Sequence, residues 1–161
     1  MTVTLLFPLA LKTLHLLGAV LILGNVIVTG FWNFKAVRTR DPRVIAFAQR
    51  EVIAADIWLT FGGGALLSVS GFLLAQTYGL NPWKTPWILG GFGLLGLSTL
   101  LWLVVLLPCQ SQMVRLSAQA AADDENLPPA FFRAFWAWNV VGWFATLLLA
   151  AALAVMVLKP Q

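Results

Sequence analysis

His15 is the only histidine of the chain, and it lies in an apolar stretch, Thr13–Phe34, that carries no charged residue. Ionisable side chains at membrane depth are costly and by default are functional-site candidates. Neutral imidazole is also the commonest side-chain metal ligand. The chemistry available to such a histidine is axial ligation of a haem iron or recognition of a porphyrin. The alternative is a hydrogen bond to a neighbouring helix. At helical spacing His15 shares a face with Lys12, Gly18, Ile22, Thr29 and Asn33, with Asn25 at its edge. Gly18 would leave room beside the imidazole for a flat group. Lys12 would reach a propionate, or snorkel outward. On this reading His15, Lys12 and Gly18 bind haem b or a porphyrin, with electron transfer or tetrapyrrole chemistry as the activity. With one histidine, bis-histidine ligation within a single chain is excluded.

A second constellation lies deeper along the chain. Asp56, Thr60, Gly63, Leu67 and Ser70 fall on one face of a helix, with Asp56 about one turn from its charged boundary. Arg133, Asn139 and Thr146 punctuate the last apolar stretch. Asn139 and Asn25 fall at depths close to that of Asp56, so Asn25, Asp56, Asn139 and Arg133 are expected to form an intramembrane polar cluster. The competing readings are an Asp56 carboxylate paired with Arg50 or Arg133, and amides that join helices at ~0.6 kcal/mol per bond. Other chemistries lack their parts. One histidine and Cys109 cannot make a zinc site of the usual kind. There is no Gly-rich phosphate loop, nucleophile elbow or carboxylate pair within one pocket. The catalytic residues, if any, stay unassigned.

The elements that must position these groups follow from charge patterning. Thr13–Phe34, Ile57–Trp83, Thr85–Val114 and Ala134–Leu158 contain no Asp, Glu, Lys or Arg. Each exceeds the ~20 residues that cross a bilayer as a helix, and none alternates in the manner of a barrel strand. The expected fold is therefore all-α, a polytopic membrane protein built as a four-transmembrane-helix bundle in a single domain, residues 1–161. Its helices are placed at about 5–32, 42–78, 86–107 with an amphipathic extension to 122, and 130–158. Asp41-Pro42 and Thr85-Pro86 are helix-start pairs, and Pro108 should kink the third helix. The Lys35–Arg50 connector holds five of the ten basic residues, and Arg115 and Arg133 lie on the same side. Basic residues accumulate on cytoplasmic loops, so both termini are expected outside. Trp83 and Trp87 would mark the outer interface, and Trp32, Trp58, Trp136 and Trp138 the inner one. The net charge of +4 reflects this placement rather than nucleic-acid binding. The first helix lacks the basic n-region of a cleavable signal and is expected to stay in the mature protein. Gly62-Gly63-Gly64 and Gly90, Gly91, Gly93 and Gly96 permit close helix approach, within the chain or in a homodimer.

The opening Leu11-Lys-Thr-Leu-His-Leu-Leu-Gly-Ala-Val-Leu-Ile-Leu-Gly-Asn resembles a bacterial family of small four-helix predicted integral membrane proteins of unknown function. Further landmarks are Ile53-Ala-Ala-Asp, Leu101-Trp102 with Pro108, Arg133 with Trp138-Asn139, and Val157-Leu-Lys-Pro. The resemblance covers nearly the whole chain and implies residence in the bacterial inner membrane. Leu11-Lys12-Thr13-Leu14-His15 is also distantly similar to the first helix of HemJ-type protoporphyrinogen oxidases and CopD-like membrane proteins. For His15 this implies a tie to haem or porphyrin. A non-catalytic accessory or assembly subunit of a larger membrane complex is the competing expectation, motivated by the lack of a complete catalytic set. A small transporter is the third, disfavoured by the lack of an inverted repeat.

Overall fold

The computed structural model describes the backbone of residues 2–160 and the side chains of residues 6–160. It holds four long helices and, among the described residues, no strand. The first helix is Thr2–Arg38; the second, Pro42–Thr77; the third, Pro86–Asp123; the fourth, Pro129–Leu158. All four are long and apolar enough to cross a membrane. The second has 36 residues, about 54 Å at 1.5 Å per residue. The hydrocarbon layer is only ~30 Å thick, so the second and third helices stand out of it at one end. That end carries Arg38–Arg50, Arg115 and Arg133 and is called the basic end. The opposite end carries both termini.

The helix boundaries have local causes. Asp41 caps the second helix, its carboxylate accepting from Arg43 N at 2.9 Å with Pro42 at the first position. Pro86 and Pro129 likewise stand in the first turn of the third and fourth helices, there without a side-chain cap bond. The first helix runs six residues beyond its expected end at Trp32. Nothing in Asn33–Arg38 breaks a helix, and Lys35 and Arg38 suit the negative end of the helix dipole. They also sit over the Phe31 and Phe34 rings, at 5.5 and 5.6 Å from the centroids.

Two helices contain a π turn. In the second it covers Asp56–Phe61 and in the third Trp102–Leu106. The third-helix turn has an evident cause. In an unbroken α-helix the Pro108 ring would strike the Val104 carbonyl, four residues back. Here the backbone widens just before the proline, and Leu107 N–H bonds to Trp102 O. The expected disturbance at Pro108 therefore takes the form of a π turn.

Packing divides the bundle lengthwise. At the basic end all helices share a core that includes Ile45, Val52, Met113, Phe131, Phe135 and Trp138. The Phe131 and Phe135 rings stack there with centroids 6.4 Å apart. Toward the termini the chain separates into two hairpins. The first and second helices pack on each other, and so do the third and fourth. No Cα of Gly62–Thr77 comes within 8 Å of one in Pro86–Leu101. Within the first hairpin the backbones nearly touch. A Cβ on Gly18 would lie 2.7 Å from Leu67 N and 2.8 Å from Gly63 O. Within the second hairpin, Met156 covers Gly91, and Ser98 Oγ donates to Ala145 O at 3.1 Å.

Candidate functional site

The cleft between the hairpins is a cavity of about 960 Å³ lined by all four helices. Its walls are mostly aliphatic and aromatic. Gly30, Gly64 and Gly96 widen it, and Phe31, Phe61, Trp136 and Trp143 stand at its exposed margins. Asp56 is the only ionisable residue that lines it.

Asp56 is 5% exposed and gathers donors from three helices. Asn25 Nδ2 on the first helix donates to Asp56 Oδ1 at 2.8 Å and approaches Thr60 Oγ1 at 2.9 Å. Thr60 Oγ1 donates to the same Oδ1 at 3.2 Å. From the third helix, Gln110 Nε2 donates to Asp56 Oδ2 at 2.6 Å. The Trp102 indole N–H adjoins the carboxylate without reaching hydrogen-bond geometry. No cation is part of the cluster. The one ion pair among the described residues is the exposed Arg43–Asp124 contact at 3.3 Å. The π turns begin at Asp56 and Trp102, so both helices are rewound where they carry these groups. π turns recur at functional sites because the added residue re-aims its neighbours.

Several enclosed polar atoms have no protein partner. Gln110 Oε1, Trp102 Nε1 and Trp138 Nε1 belong to residues that line the cavity. Asn33 Nδ2 and Gln49 Oε1 flank a second buried amide pair, in which Gln49 Nε2 donates to Asn33 Oδ1 at 2.6 Å. Buried polar groups in folded proteins are nearly always satisfied by protein, water or ligand, but these atoms are enclosed by the protein and do not open onto the cleft.

Sequence reasoning expected Asn25, Asp56, Asn139 and Arg133 together. The structure brings Asn25 and Asp56 into contact. Asn139 lines the same cavity, but its Nδ2 is committed to Phe135 O at 2.7 Å. Arg133 is exposed and forms no bond to the cluster. The pairing of Asp56 with Arg50 or Arg133 is therefore replaced by neutral donors. Ile22, Asn25, Thr29 and Asn33 are all buried, so the polar face of the first helix does point inward, while Lys12 is exposed.

His15 lies outside the cavity, in the seam between the first and second helices. Its Nδ1 bonds to Leu67 O at 2.8 Å, and its ring fills the notch at Gly71, where a Cβ would meet Cε1 at 2.6 Å. The space expected beside Gly18 is filled by the backbone of Gly63–Leu67. No flat group can enter there. Gln110, Gln49 and Trp102 were not singled out from the sequence. Gln110 carried a usable signal, an amide just past Pro108 at the depth of Asp56. Trp102 did not: it stood only as a landmark of the family resemblance, and nothing in its spacing set it beside Asp56.

A family model described as predicted integral membrane protein (DUF2269) matches residues 9–160. The chain belongs to that family. No curated protein and no solved structure matches it. The match spans both hairpins of this DUF2269 chain, so the cleft and its polar cluster lie wholly within the shared region. Among the described residues no group of three His, Cys, Asp or Glu is placed to hold a metal ion.

Proposed function

We propose that the protein binds a mostly apolar, membrane-dissolved small molecule between its two hairpins, with the Asp56 cluster receiving the polar end. The observation that carries this reading is one large apolar cavity onto which a few polar groups converge, the usual form of a small-molecule site. Its volume falls in the ~300–1,000 Å³ range of such sites. We place the site in a bacterial cytoplasmic membrane, both termini outside, with the Asp56 cluster in the inner leaflet.

The test is organic extraction and mass spectrometry of protein purified in mild detergent. One apolar species should be retained by the wild type at close to one per chain. It should be lost from Gly96→Phe and Gly30→Leu, two cavity-lining positions where an added Cβ meets nothing within 4 Å. Extracts that do not differ between wild type and both variants, with the melting temperatures unchanged, would sink the proposal.

One observation favours a second reading, haem or porphyrin at His15. Its Nδ1 is held by a backbone carbonyl while Nε2 makes no hydrogen bond, and ligating histidines are oriented in this manner. The packing at Gly71 and Gly18 weighs against it. The absorption spectrum decides. On the cavity reading, air-oxidised and dithionite-reduced protein from haem-supplied cells is featureless in the visible. A Soret band lost in His15→Ala would instead install the second reading.

A further inference from the structure

The charge balance of the cleft restricts what can occupy it. This inference rests on the cavity reading and narrows it. Asp56 is the only ionisable residue on the walls, is buried, and has no cation within ion-pair distance among the described residues. Asn25, Thr60 and Gln110 donate to its two oxygens. In this arrangement both oxygens accept, and neither faces an acceptor for a proton of its own. The rest of the wall has few hydrogens to offer. The Thr29, Ser98, Thr99 and Thr146 hydroxyls and the Asn139 amide already donate to main-chain carbonyls. The Trp102 and Trp138 indole nitrogens are enclosed by protein.

An anion fails on both counts. It would add a like charge beside Asp56, and it would find few donors to replace its water. A neutral occupant would leave the carboxylate uncompensated in a site away from water, which is costly. A cation removes that cost. Its charge also suits the aromatic wall. Half of the chain's eight tryptophans, Trp102, Trp136, Trp138 and Trp143, line the cleft, and indole is the best aromatic partner for a cation. Neither attraction needs an N–H on the occupant, and three hydrogen bonds already engage the carboxylate. We infer that the occupant is a hydrophobic organic cation whose charge is covered by carbon, of the quaternary ammonium or phosphonium class. Its charge lies toward Asp56, and its hydrocarbon fills the apolar length of the cleft.

The probes are tetraphenylphosphonium and tetraphenylborate, ions of nearly the same shape and opposite charge. Binding is measured by equilibrium dialysis at neutral pH, with the protein in nanodiscs of zwitterionic lipid. The same discs carrying Gly96→Phe report partition into the lipid, which is subtracted. The expected result is saturable binding of the phosphonium, about tenfold or more tighter than the borate, the scale of one partly screened charge pair. Asp56→Asn should weaken the phosphonium about tenfold and leave the borate no weaker. The comparison of the two ions on the wild type stands by itself if that variant does not fold. Equal or tighter binding of the borate, reduced by Gly96→Phe, would overturn the cation assignment and leave the cavity site standing. Phosphonium binding unchanged in Asp56→Asn would do the same, because a protonated Asp56 gives that result. Absence of any binding sensitive to Gly96→Phe would also overturn the assignment. The cavity reading is decided separately, by whether wild-type extracts hold a species that Gly96→Phe lacks.

Discussion

Alanine at Gly18 is expected to destabilise the protein by about 2 kcal/mol, although alanine is the better helix former. Two terms compete. Replacing glycine by alanine inside a helix gains about 1 kcal/mol of propensity. Overpacking costs about 1–3 kcal/mol and occasionally more. At Gly18 the second term wins because the new methyl meets Leu67 N at 2.7 Å, Gly63 O at 2.8 Å and Leu67 Cα at 2.9 Å. These are backbone atoms of a facing helix, and no rotamer change relieves them. The helices must move apart, and the His15–Leu67 bond one turn away loosens with them. Gly24 supplies the control on the same helix, since a Cβ there meets nothing within 4 Å. Gly24→Ala should be neutral or stabilising by up to about 1 kcal/mol. Denaturation by SDS titration in mixed micelles measures both, and equal stability of the two variants would contradict the packing described.

Replacement of Asp56 should separate two otherwise similar variants. Asp56→Leu keeps the branched shape but strands Gln110 Nε2 and leaves Asn25 Nδ2 with Thr60 Oγ1 as its acceptor. Each buried donor left unsatisfied costs about 1–3 kcal/mol. One stranded donor, with some strain from the larger leucine, gives an expected net loss of about 2 kcal/mol. Asp56→Asn should cost under about 1 kcal/mol. Its Oδ1 still accepts from Asn25 and Thr60. Its new amide would face the Gln110 amide donor to donor, but Gln110 can turn over and present Oε1, which has no partner in the wild type. The same titration reads the difference. An asparagine variant as damaged as the leucine variant would mean that Gln110 is locked and that the cluster requires the carboxylate itself.

The sequence made the helices and their inward faces readable, because apolar stretches without charge have few solutions in a bilayer. Buried Asn25, Thr29 and Asn33 fall where helical spacing places them, and Asp56 was visible as a carboxylate about one turn inside the charged boundary of its helix. The π turns were not visible. Asp56–Phe61 and Trp102–Leu106 have the composition of any membrane helix, and only Pro108 hinted at one of them. The separation of the hairpins was hidden for a related reason. Gly90, Gly93 and Gly96 look alike along the chain, yet Gly90 abuts Val155 while Gly93 and Gly96 face open space. Glycine spacing states that a close approach is permitted, not that a partner is there. The first helix misled in the same way. The notch that Gly18 opens is taken by the second helix, and the lone histidine serves the seam between them.

The hairpins part along the apolar length of their helices, so an occupant of the proposed site would reach Asp56 from hydrocarbon. Each methylene contributes about 0.8 kcal/mol to leaving water for the bilayer, and that transfer is complete before the cleft is met. The protein therefore has no need to hold an aliphatic tail more tightly than lipid does. On the proposed reading it would select among molecules already dissolved around it, and the selection would fall on the few atoms that hydrocarbon cannot satisfy. Occupancy would then follow the mole fraction of the molecule in the membrane, and its concentration in bulk water would be a poor guide.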